Sequence, residues 1–105
     1  MSGSEPGGEL VTAAAALFGL LGDPTRVRLL YALLDDGEQR VGSLAEGVGV
    51  SESAVSHALR LLRTSKVVTT RREGQSIHYQ LADPHVQQLL EITREHLLEE
   101  LGPQE

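Results

Sequence analysis

A mainly helical domain with one small β-hairpin is what this sequence predicts, arranged as a winged helix-turn-helix that pairs with a second copy of itself. Three observations predict it. Apolar residues recur at helical spacing in several separate stretches. Two of these, over 41–47 and 51–64, are joined by Gly49 and a capping Ser51, which is the helix, glycine turn and capped helix of a helix-turn-helix. Directly after them come two β-prone runs separated by Glu73-Gly74-Gln75, a hairpin wing.

Residues 1–8 are rich in Gly, Ser, Pro and Glu and read as a disordered tail. The domain proper spans 9–101, and 102–105 form a short C-terminal tail. The first helix, over 9–21, carries Leu10, Leu17, Phe18, Leu20 and Leu21. Its run of four alanines lets another helix approach closely, so it is a candidate dimer element. Gly22 stops it, and Asp23-Pro24 starts a second helix with Asp23 as N-cap and Pro24 in the first helical position. That helix runs to about residue 36 with Val27, Leu29, Leu30, Leu33 and Leu34 on its core face. Arg26 and Arg28 lie in its first turns, where the helix dipole disfavours cations; solvation and phosphate contact are both open for them. Residues 35–38 form a loop.

The helix over 41–47 has Leu44, Ala45 and Val48 as its apolar positions. In the one that follows, Ala54, Val55, Ala58, Leu59, Leu61 and Leu62 supply packing, leaving Ser53, Ser56, His57 and Arg60 on the other side. That face suits the DNA major groove, where Ser and His hydrogen-bond base edges and Arg reads guanine. The β-prone runs are 66–72 and 76–81. Arg71, Arg72 and Gln75 at the tip are placed to meet phosphates or the minor groove, while His78 packs on the hairpin.

Charge distribution supports a nucleic-acid partner despite a formal net charge of -6. Residues 51–76 carry five basic groups, Arg60, Arg63, Lys66, Arg71 and Arg72, against two acidic ones. The flanking segments are acidic, so a cationic surface sits inside an acidic protein. At 105 residues the chain makes one small domain with a modest core, which dimerisation would help. It has no cysteine, so disulfides and thiolate metal sites are excluded. No apolar run reaches membrane length and no secretion leader is visible, which makes a cytoplasmic protein without membrane attachment the expectation.

The last helix begins at Asp83-Pro84-His85, again with an Asp cap and Pro at the first position, and carries His96 and Glu99 on one face further along. On a straight helix His85 and His96 are about 16 Å apart. Metal–nitrogen bonds are near 2 Å, so the four groups cannot close on one ion within a single chain. Two such helices packed antiparallel lay the Asp83/His85 end of one beside the His96/Glu99 end of the other, making two equivalent sites across a two-fold axis. The simpler reading is that Asp83 is only a cap and the other three side chains are solvated.

The chain resembles the ArsR/SmtB family of bacterial metal-sensing repressors over roughly residues 10–101. The resemblance is carried by the run Leu21-Gly22-Asp23-Pro24-Thr25-Arg26-Val27-Arg28-Leu29-Leu30 and by Ser51, Ser53, Val55, Ser56, His57, Leu59, Leu61 and Leu62 at their spacing. Arg72, Gly74 and Tyr79, with the donors of the last helix, complete it. It implies a homodimeric repressor whose metal-free form holds a palindromic operator and lets go on binding metal. It also implies Asp83, His85, His96 and Glu99 as the interhelical ligand set, typically for Zn(II), and a hydrogen bond from His96 to a backbone carbonyl within 63–67. The family's other common site, a Cys-containing motif before the recognition helix, has no sulfur in the matching residues 40–46. Two imidazoles and two carboxylates in a closed tetrahedral set suit Zn(II), whereas Co(II) and Ni(II) prefer more ligands; both stay open. A regulator independent of metal is the alternative. An enzyme is not expected: a hydrolase needs an open coordination position, and four protein ligands leave none.

Overall fold

The computed structural model describes residues 7–103, so most of the expected N-terminal tail and the end of the C-terminal one lie outside the described residues. Its elements in chain order are α1 (Gly8–Leu21), α2 (Pro24–Asp36), α3 (Val41–Val48), α4 (Glu52–Thr64), β1 (Val68–Glu73), β2 (Ser76–Leu81) and α5 (Pro84–Leu101). Three of the helix starts are written in single residues. The Asp23 carboxylate accepts from the Arg26 amide at 3.1 Å, Ser51 Oγ from the Ala54 amide at 3.1 Å, and Asp83 Oδ1 from the amides of His85 and Val86 at 2.9 and 3.3 Å. Each satisfies donors that a helix N-terminus leaves unpaired.

The core lies among α2, α3, α4 and the base of the hairpin. Leu29, Leu30, Leu44, Val55, Leu59 and Leu62 are fully buried, closed over by Val67 and Val68 from the hairpin and Val86 and Leu90 from α5. Ala54, expected to pack, is exposed, and Leu61 is half-buried. The buried stripe of α4 is therefore narrower than its apolar content suggests, and its outer face is wider.

Between α3 and α4, Gly49 stands at φ 75°, ψ 32°, and its amide donates to Ala45 O at 2.9 Å. A left-handed residue there turns the chain without a Cβ clash.

Helix α4 ends differently. Lys66 has φ 64°, with its amide donating to Arg63 O at 2.9 Å and the Val67 amide to Leu62 O at 2.9 Å. These two bonds form a Schellman cap closed by a non-glycine residue, which is why β1 starts at Val68 and not at Lys66 as the sequence reading had it. The left-handed conformation costs an L-residue about 1 kcal/mol. Lys66→Gly should therefore stabilise the protein by roughly 0.5–1 kcal/mol, read as a higher urea midpoint with unchanged slope.

The strands pair antiparallel from Val68↔Leu81 to Glu73↔Ser76 around the two-residue turn Gly74-Gln75, with Gly74 at φ 63°. A type II′ hairpin turn takes glycine at that first position. The segment after α2 adds a rung: the Gln39 amide donates to Tyr79 O at 3.0 Å and the Tyr79 amide to Gln39 O at 2.8 Å. Sequence periodicity gave no sign of this pairing, because a single rung has none.

Candidate functional site

Ser53, Ser56, His57, Arg60 and Arg63 are all exposed on the outer face of α4, opposite Val55, Ala58, Leu59 and Leu62. The same helix thus anchors itself in the core and presents hydrogen-bonding and cationic groups outward, the arrangement that lets a helix read a major groove. Thr64 sits on this face too, with its hydroxyl turned back onto Arg60 O at 2.9 Å.

The wing departs from expectation at one residue. Arg72 and Gln75 are exposed near the turn, but Arg71 stands within the ladder opposite His78, not at the tip. Its guanidinium donates through Nε and Nη2 to both oxygens of Glu38, at 2.9 and 2.7 Å. A bidentate carboxylate pair occupies the fork that a phosphate would use. Arg71 therefore ties the wing to the segment after α2, and the Arg71 fork holds the Glu38 carboxyl below the usual carboxylate range. His78 packs beside this pair, with its ring nitrogens 4.0 Å from Glu38 Oε1 and 3.7 Å from Glu73 Oε1. Arg26 also has a structural partner: its Nε donates to Leu20 O at 2.6 Å, satisfying a carbonyl at the end of α1 across the 82° turn into α2.

The donors of α5 lie at its two ends. Asp83 Oδ1 is spent on the cap, and among the described residues Oδ2 accepts no hydrogen bond. The His85 side chain is 92% exposed with Nδ1 3.7 Å from Asp83 Oδ1. His96 is 65% exposed, and its Nε2 lies 4.0 Å from Glu100 Oε2. Among the described residues it makes no hydrogen bond to the 63–67 stretch, where Arg63 O and Val67 O already accept from the amides of Lys66 and Ala82. The bond implied by resemblance is thus not made within this chain, because α5 carries His96 out into solvent. Among the described residues no three His, Asp or Glu side chains converge on one point.

A contact set missed in the sequence holds α5 to α2. Tyr31 Oη donates to Leu90 O at 2.7 Å, and Arg94 forks onto Asp35 at 2.9 and 3.0 Å while lying 5.0 Å from the Tyr31 ring centroid. The Arg94 guanidinium holds the Asp35 carboxyl below its ordinary range, and burial pushes the Tyr31 phenol up. One signal was available: Arg94 is the single basic residue in the acidic stretch 77–105.

The family model for bacterial regulatory proteins of the arsR family matches residues 23–70, which run from the cap of α2 into the wing. A transcriptional repressor SmtB homolog from a Synechocystis species is 47% identical over 85 residues, 81% of this chain and 64% of its own length. The chain belongs to the ArsR family. Among solved structures, the ArsR-family chain is similar to the AntR antimony-specific transcriptional repressor, with 36% identity, TM-score 0.81 and coverage of 92% of this chain and 86% of that one. It is also similar to a homodimeric winged helix-turn-helix DNA-binding domain from Mycobacterium bovis, at 27% identity and TM-score 0.80 over 89% of this chain and 85% of that one. The winged helix-turn-helix fold follows, and the relatives of this ArsR-family chain are transcriptional regulators rather than enzymes. Among the described residues, no single helix is long and apolar enough to cross a membrane.

Proposed function

We propose that the protein is a homodimeric, zinc-responsive transcriptional repressor whose metal-free form holds a palindromic operator. The observation that carries this reading is the placing of the donors: an Asp/His pair at the start of an 18-residue helix and a His/Glu pair near its end, all on a helix whose outer half is uncovered. Phe18 on α1 and Ile92 and Leu101 on α5 are each more than half exposed, and an apolar cleft of about 380 Å³ between the two helices and α2 is lined by Phe18, Leu21, Val27, Tyr31, Leu89 and Leu97. Apolar surface of this kind marks an interface. A second copy with its α5 antiparallel covers it and completes each donor set.

The residues fit a divalent ion. Asp83 Oδ2 and His85 of one protomer, with His96 and Glu99 of its partner, offer two nitrogens and two oxygens in the combination zinc accepts. Zinc, when bound, supplies a fixed cross-link between the two terminal helices. The antimony named for AntR does not transfer to this chain: such soft centres favour thiolates, and there is no cysteine here. On the DNA side, Arg60 is the base-reading cation of the recognition helix, with Ser53, Ser56 and His57 beside it. Arg63, Arg72 and Gln75 contact the backbone, and Arg71 contributes by fixing the wing.

The test starts from a palindromic duplex selected out of a random library by the metal-free dimer. The dimer is titrated with Zn(II), Co(II) and Ni(II), with and without that duplex. Two zinc ions per dimer together with loss of duplex binding support the proposal. Zinc binding that leaves duplex affinity unchanged overturns the sensor reading, and a stronger response to nickel or cobalt reassigns the metal.

A further inference from the structure

We infer that the corner from Asp35 to Gln39 links the metal-bearing helix to the wing, with Arg94 as the positioning residue through which α5 reaches it. The inference rests on the metal-responsive reading above. Beyond Leu90 every residue of α5 through Leu101 is exposed except Arg94, which is half-buried. Its fork onto Asp35, at 2.9 and 3.0 Å, is the last hydrogen bond that α5 makes to another element among the described residues. His96 follows two residues later. One turn earlier the Tyr31 hydroxyl holds Leu90 O at 2.7 Å, so α5 is gripped at two points along one face of α2. The outer half of the helix, with His96 and Glu99, projects past that grip.

Asp35 lies one residue from the end of α2, and what comes next is tied to the wing. Gly37 turns the chain at φ 80°, Glu38 takes both hydrogen bonds from the Arg71 guanidinium, and Gln39 exchanges two backbone hydrogen bonds with Tyr79. The Gln39 side chain also donates to Ala32 O at 3.1 Å, fastening the corner back onto α2. The four residues 35–38 thus have an arginine fork at each end, one from the sensing helix and one from β1. A displacement of the outer half of α5 enters the DNA-binding body at Asp35, and the wing is the first structure joined to that point. Exposed single ion pairs contribute little to stability. A planar fork is directional, though, and direction is what a positional link requires.

Arg94→Gln and Asp35→Asn each remove the fork while keeping the four donors and the DNA-facing side chains. With the selected duplex as probe, the ratio of affinities without and with zinc falls roughly threefold to tenfold in either variant. The double variant falls no further than the single ones, and zinc stoichiometry holds. In the zinc-free protein, NMR-detected exchange of the Gln39 and Tyr79 amides is faster in Arg94→Gln than in the parent. A surface pair that merely steadies α5 would speed exchange in the outer turns of α5 alone and leave the ratio intact, and that result overturns the link. If the parent protein shows no zinc effect on the duplex, the sensor reading fails, while wing exchange in the zinc-free variant still decides the link.

Discussion

Replacing His96 by glutamine leaves duplex binding within about twofold of the parent and brings the ratio of affinities without and with zinc close to one. The parent ratio belongs in the range of roughly 5- to 150-fold that coupling between sites in one protein typically spans. Three facts set the expectation. His96 supplies one of the two imidazoles in each proposed site, and an amide in its place is a poor zinc ligand. Its side chain is 65% exposed and among the described residues makes no hydrogen bond or ion pair with α4 or the wing, so the outward face of α4 is untouched. Glutamine is also a good helix former, so α5 persists. Anisotropy titrations of the selected duplex with and without zinc check it. Release as complete as in the parent would remove His96 from the ligand set. Coupling is reciprocal, so the duplex must weaken zinc binding in the parent by the same factor and have no such effect in His96→Gln.

Leu59→Ala lowers the free energy of unfolding by roughly 2–5 kcal/mol, a large share of the 5–15 kcal/mol typical of a domain. Leu59 is fully buried in the cluster shared by α2, α3 and α4. Truncation forfeits its transfer free energy and leaves a cavity that the surrounding leucines fill only in part. Arg60, the next residue, is exposed on the opposite face, and its replacement by alanine leaves the unfolding midpoint nearly unchanged. Urea titrations of the two variants, side by side, separate the anchoring face of α4 from its outward face. A midpoint for Leu59→Ala equal to that of the parent would mean that α4 does not rest on the core as described.

Much of the fold was legible because its signals are local. Asp23-Pro24, Ser51 and Asp83-Pro84 each announce a helix start within three residues, and the structure shows all three carboxylate or hydroxyl caps formed. Glycine at 49 and 74 marks two of the places where φ is positive. The outward polar set on α4 was readable from the same spacing that defines its buried side. The boundary of β1 was not readable, since a lysine taking the left-handed cap position violates the preference for glycine there.

By itself the sequence determined the order of helices and hairpin, the split of α4 into a core face and an outward face, and the separation of the α5 donors. All of these follow from helical repeat and caps that act over three or four residues. Only the tertiary structure decided which charged groups are already engaged. Arg71 meets Glu38 across 33 positions, and Arg94 and Leu90 meet Asp35 and Tyr31 across 59. Such pairings depend on the angle and depth at which separate elements pack, and no periodicity along the chain records an angle.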